Sequence, residues 1–125
     1  MPALPEIVLQ AWENREGPQV ITTVDENGKP NSVYVMCVKL IGDDKIVIVD
    51  NHFEKTRHNI LAGSPGVFLF ITGEMKAYQV KGSLDYLQSG PIYDDLASWV
   101  DPKYPKIAAV VLNVEEVYNC ADRLV

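Results

Sequence analysis

Apolar residues follow two different periods along the chain. Leu4, Ile7, Val8, Ala11 and Trp12 recur at helical spacing and Gly17-Pro18 stops the segment, so a short amphipathic helix precedes the first strand. "QVITTVD" reads as a strand rich in β-branched residues, Asn27-Gly28 as a tight hairpin turn at positive φ, and "PNSVYVMCVKLIG" as the partner strand. "GDD" then turns the chain into "KIVIVDN", completing a three-stranded meander.

A helix around Lys55 to Ala62 comes next, and Gly63, Ser64, Pro65 and Gly66 break it. "VFLFIT" and "AYQVKGSLDY" form a second antiparallel pair, with Gly82 marking a bulge or a corner of a curved sheet. "PIYDDLASWV" sets Ile92, Leu96, Trp99 and Val100 on one helical face, and "KIAAVVLNVEEVYNC" is a long last strand. The result is a mainly β chain of about six strands and three short helices, spaced as in a small antiparallel barrel. At 125 residues it is a single domain, 1–125, because a second would be too small to bury its own core.

Charge narrows the partners. A net charge of −6 argues against a nucleic-acid binder, whose affinity comes from clustered Lys and Arg, yet leaves room for a local site for a small anion. No apolar run approaches the ~18 residues of a membrane helix. The N-terminal stretch lacks the plan of a signal peptide, so a cytoplasmic protein without a membrane partner is expected. Cys37 and Cys120 show no Cys-x-x-Cys spacing, which points to a buried, reduced Cys37 rather than a disulfide or zinc site. His52 and His58 do not make a metal set, and no Ser-His-Asp or paired-carboxylate arrangement supplies a protein-based catalyst.

The chemistry concentrates in "VDNHFEKTRHNIL", Val49 to Leu61, where a buried strand hands over to a polar helical turn. Two readings stand side by side. Asn51 or His52 caps the helix while Lys55, Arg57 and His58 are solvated. Alternatively an anion sits there, met by the Lys55 charge, the Thr56 hydroxyl and the Asn59 amide on the same side of the helix.

The order "VITTVDENGKPNSVYV", "DKIVIVDNHFEKTRHNI", "GVFLFIT" and "AYQVKGSLDY" resembles the flavin-binding split-barrel proteins of the pyridoxamine 5′-phosphate oxidase-like family. It is most similar to their short members, related to the FMN-binding protein of sulfate-reducing bacteria, and the likeness runs from about Val20 to Val117. The resemblance implies a six-stranded Greek-key split barrel that dimerises and holds FMN in grooves between subunits. It implies Lys55 and Thr56 at the FMN phosphate with Asn59 in support, and Asn31, Ser32 and Val33 beside the phosphate and ribityl chain. Tyr34 falls at an aromatic position near the flavin, and Asp50, Asn51 and His52 match the backbone stretch at the isoalloxazine edge. Tyr34, Trp99 and Tyr104 are candidate walls of the ring slot, with core packing the alternative for Trp99 and strand packing for Tyr34.

Pro105 stands where the short flavoprotein has a tryptophan, and Arg123 stands alone where the oxidases carry an arginine- and histidine-bearing segment. Oxidation of pyridoxamine 5′-phosphate itself is therefore not expected. Three functions follow from the resemblance: a homodimeric FMN protein passing electrons or hydride, a flavin-dependent reductase or oxidase of a small substrate, or a non-catalytic module for FMN, haem or deazaflavin.

Overall fold

The computed structural model describes residues 2–125. Helix α1 (Glu6–Glu13) leads into β1 (Gln19–Val24), β2 (Pro30–Val35), β3 (Val38–Ile41) and β4 (Lys45–Asp50). Helix α2 (Lys55–Leu61), β5 (Gly66–Ile71), β6 (Ala77–Leu87), α3 (Pro91–Trp99), β7 (Ala108–Asn119) and β8 (Asp122–Arg123) complete the chain. All pairings are antiparallel, and the path through the sheet is β2-β1-β5-β6-β7-β4-β3, with the short β8 on β7.

The two ends of that path, β2 and β3, are adjacent in sequence. The segment expected as one strand from Pro30 to Gly42 bends at Met36-Cys37, and its halves pair with β1 and β4 on opposite margins of a curled sheet. The bend is a change of phase. Val33 and Val35 turn inward on β2, but the next inward residues are Val38 and Leu40, so one step of the two-residue alternation is lost. Cys37 and Ile41 pack instead on the outer cluster. The expected meander is thus split, while counting β2–β3 as one bent strand and leaving β8 aside restores the expected six strands of a split barrel.

Two apolar clusters explain the strand patterns. Ile46, Ile48, Phe68, Phe70, Val80, Val110 and Leu112 fill the inner core, closed by Leu4, Val8, Ala11 and Trp12 of the N-terminal segment and α1. Trp12 meets Phe70 edge-on with ring centroids 5.5 Å apart, a favoured aromatic geometry. Val47, Val49, Ala109 and Val111 face outward under Leu96 of α3 and Val100 just after it. Strand β4 is covered on both sides, which is why "KIVIV" is apolar without alternation.

The register of β6 and β7 slips at Lys81/Gly82, the bulge expected there. Lys81 pairs with Glu116 and Gly82 with Val114, leaving Glu115 as the extra residue. The β1–β2 connection is longer than the expected two-residue turn. Of Asn27 and Gly28 only Gly28 has positive φ (83°), because Asp25 Oδ1 accepts the N–H groups of Asn27 and Lys29 and closes a wider loop. Among the described residues no helix is long and apolar enough to cross a membrane.

Candidate functional site

The bend at Met36-Cys37 and the turn from β4 to α2 lie together and leave a cavity of about 530 Å³ between them. Val33, Val35, Val49 and Phe53 supply apolar wall, with Tyr34, Met36, Cys37 and Tyr104 around it. Asn31, Asn51, His52, Glu54, Lys55 and Thr56 supply the polar part. The volume falls within the roughly 300–1,000 Å³ typical of small-molecule sites.

Each polar residue has a defined setting. Thr56 is buried, and its Oγ1 accepts a hydrogen bond from Asn31 Nδ2 at 3.0 Å, which leaves the hydroxyl hydrogen to donate elsewhere. Lys55 Nζ is 3.6 Å from Asp25 Oδ2. Asn51 joins three segments, accepting the Lys106 N–H at 3.0 Å and donating to Cys37 Sγ at 3.6 Å. Neither Asn51 nor His52 caps α2: the N-cap position is Glu54, and no side chain bonds the exposed backbone there. The cap expected in that reading is therefore not formed, while Lys55 and His58 are exposed as it has them and Arg57 is engaged elsewhere.

Asp50 faces away from the cavity. Its fully buried carboxylate receives Arg57 Nε at 2.7 Å, Arg57 Nη2 at 3.1 Å, the Tyr86 hydroxyl at 2.6 Å and the Phe53 N–H at 2.8 Å. Burial alone would raise its pKa, but the hydrogen bonds from Arg57, Tyr86 and Phe53 outweigh this and hold it below the usual carboxylate range. Burial, followed by the hydrogen bond to Asp50, pushes the Tyr86 hydroxyl up to about 12. Hydrogen bonding to Asp50 likewise raises Arg57. The cluster fixes the turn that presents Lys55 and Thr56, and the Asp50 carbonyl also accepts the Ile107 N–H at 2.8 Å, tying down the loop that carries Tyr104.

Of the residues singled out in the sequence, Asn31, Val33, Tyr34, Asn51, His52, Lys55, Thr56 and Tyr104 line the cavity. Ser32 points to the other side of β2, where its hydroxyl meets Thr22 Oγ1 at 2.8 Å. Asn59 is buried behind Thr56, donating to Thr23 Oγ1 at 3.0 Å with its own Oδ1 unpaired among the described residues. Trp99 packs against the α3 cluster with Lys39 Nζ 5.9 Å from its ring centroid. Cys37 is half-buried rather than buried, and it lines the cavity as a free thiol. Met36, Cys37 and Phe53 were not anticipated as lining, nor were Arg57 and Tyr86 as supports. The phase break at Met36-Cys37 and the spacing of Asp50 to Arg57 were the available signals.

Known proteins extend the picture. The chain is 30% identical over 105 residues to the uncharacterized protein MJ0282 of Methanocaldococcus jannaschii, covering 79% of this chain and 70% of that one. Its fold is similar to that of HupZ from group A Streptococcus, with a TM-score of 0.81 at 21% identity over 96% of each chain. It is also similar to an FMN-binding protein from Syntrophomonas wolfei, with a TM-score of 0.69 at 24% identity, covering 83% of this chain and 77% of that one. Residues 7–121, nearly the whole domain, match the family model described as pyridoxamine 5′-phosphate oxidase, and the chain belongs to that family.

Proposed function

We propose that the protein binds FMN in the cavity at the β4–α2 turn and acts as a small homodimeric flavoprotein in electron or hydride transfer. The observation that carries this reading is the joining, in one cavity, of an apolar wall to an end bearing a lysine, a buried hydroxyl and an amide. Flavin mononucleotide has the same division, a flat ring system at one end and a phosphate at the other. The donor set fits. Lys55 offers a charge, Thr56 a hydroxyl hydrogen, and Asn31 a second amide proton beyond the one given to Thr56.

Bound flavin supplies the redox chemistry through its own ring system. The protein's part is to bind and orient it. Val33, Val35, Val49 and Phe53 exclude water from the ring, and the Asp50 cluster keeps the turn rigid so that the phosphate and ring ends stay in register. Asn51 is held by Lys106 and Cys37 and presents its amide plane at the cavity.

Dimerisation is supported by the outer face of β1, β2 and β5. Tyr34 is 75% and Leu69 39% exposed, and both pair with Val20 in register, so the three form one apolar row running to the cavity rim. A second copy covering this row would also close the open side of the cavity. The test of the reading is the visible spectrum of the protein as purified, with mass identification of the released chromophore. Titration of the apoprotein with FMN and with riboflavin completes it. FMN released, and FMN bound more tightly than riboflavin, is expected; a deazaflavin, a haem or no chromophore with no FMN affinity would refute the assignment.

A further inference from the structure

The lysine end of the cavity also carries a fixed negative charge, supplied by the β1–β2 loop. Asp25 Oδ2 lies 3.6 Å from Lys55 Nζ. The two partners differ in freedom: the Asp25 side chain is 14% exposed and that of Lys55 51%. Asp25 Oδ1 accepts the Asn27 N–H at 2.9 Å and the Lys29 N–H at 2.8 Å, so the carboxylate stays in place wherever the lysine goes. One residue along, Glu26 Oε1 lies 3.7 Å from His58 Nε2, a second approach of the same loop to α2.

The other permanent charges at the start of α2 do not offset it. Glu54 lines the cavity beside Lys55, and Arg57, the nearest other permanent cation on α2, is engaged with buried Asp50. A phosphate arriving at Lys55 therefore draws the lysine away from Asp25 and lies close to that carboxylate. A ligand without phosphate meets neither effect.

We propose that Asp25 is a specificity-determining residue that holds Lys55 in reserve and limits how strongly the site prefers a phosphorylated flavin over an unphosphorylated one. The proposal rests on the reading that Lys55 takes the phosphate. Asp25 sets the strength of that grip without touching the ring end, so a bound phosphomonoester remains exchangeable.

The experiment titrates the full apoprotein, wild type and Asp25→Asn, with FMN and riboflavin at low ionic strength, following flavin fluorescence. Asparagine keeps the Oδ1 acceptor of the loop and removes the charge. Two negative charges on the phosphate facing one on Asp25 through mostly aqueous surroundings correspond to an affinity change of about five- to twentyfold. The FMN-to-riboflavin affinity ratio should rise by that factor, with riboflavin affinity unchanged and the gain shrinking at about 1 M salt. Asp25→Ser, whose hydroxyl also accepts a loop hydrogen bond, is read in the same way should the asparagine variant fold poorly. A wild-type preference for FMN that neither variant enlarges overturns the role of Asp25 alone. Equal affinities for the two flavins in wild type and variants overturn Lys55 as the phosphate holder as well.

Discussion

Asp50 and Arg57 meet through two hydrogen bonds, Nε to Oδ2 at 2.7 Å and Nη2 to Oδ1 at 3.1 Å, across the turn from β4 to α2. The carboxylate is fully buried, so removing it strands the guanidinium and the Tyr86 hydroxyl together. Asp50→Ala should destabilise the fold by about 2–4 kcal/mol, less than the full cost of breaking a wholly buried charge pair because the Arg57 side chain is 28% exposed and water can reach it. Urea unfolding measures it, and a loss under about 1 kcal/mol would mean that water replaces the carboxylate.

The same cluster sets the pH limits of stability. Asp50 has a folded pKa below its unfolded value of about 3.9, so its contribution is complete above that pH and is lost as pH falls through the folded value. Tyr86 has the opposite sign: raised from 10.0 to about 12, it contributes fully below pH 10 and loses the contribution as pH rises towards 12. Thermal melts should show decline at both ends, and Tyr86→Phe should flatten the alkaline limb between pH 10 and 12. An alkaline limb that is unchanged in the variant would assign it to other groups.

Asp50 and Arg57 sit in a stretch whose importance was legible in the sequence, but its wiring was not. The polar turn after "KIVIVD" identified the place, and the family resemblance identified the lysine and threonine. The resemblance places Asp50 in the stretch at the isoalloxazine edge, and nothing local says that its side chain turns the other way, where Arg57 and the distant Tyr86 converge. The bend at Met36-Cys37 was faint for a different reason: "VYVMCV" is apolar throughout, so the lost alternation step shows only afterwards, where Lys39 falls on the parity of the inward Val33 and Val35. Gly82 was readable because a glycine inside a strand has no side chain to pack there, and so marks a bulge or a close backbone approach.

Gly82 gives the third prediction. A Cβ built on it would fall on the backbone oxygen of Asn113 and stand 2.8 Å from its carbonyl carbon. Neither atom belongs to a flexible side chain, so Gly82→Ala must part β6 from β7 at the bulge. A loss of about 1–3 kcal/mol, the usual cost of overpacking, is expected in denaturant unfolding. Wild-type stability in the variant would show that the bulge opens freely.

The apolar row on the outer face yields the fourth. Leu69→Glu places a charge on the face where Tyr34 and Val20 stand, outside both apolar cores. The expected result is a monomer by light scattering, with thermal stability of the single subunit little altered and FMN affinity reduced. A dimer that persists with wild-type affinity would move the interface elsewhere on the molecule.

Lys55 carries the last prediction. Its side chain is half exposed and its visible partner is the Asp25 carboxylate at 3.6 Å, a surface pair worth about 0–1 kcal/mol to the fold. Against a phosphate the same ammonium makes a charge-assisted hydrogen bond, worth about 1.5–3 kcal/mol. Lys55→Ala should therefore leave the unfolding midpoint nearly unchanged and weaken FMN binding by that larger amount. Riboflavin binding should stay as it was, because the ring end of the cavity is untouched. Isothermal titration of wild type and variant with both flavins separates the cases. Equal weakening for FMN and riboflavin would show that Lys55 supports the cavity wall rather than the phosphate, since only the loss confined to FMN isolates the group that riboflavin lacks.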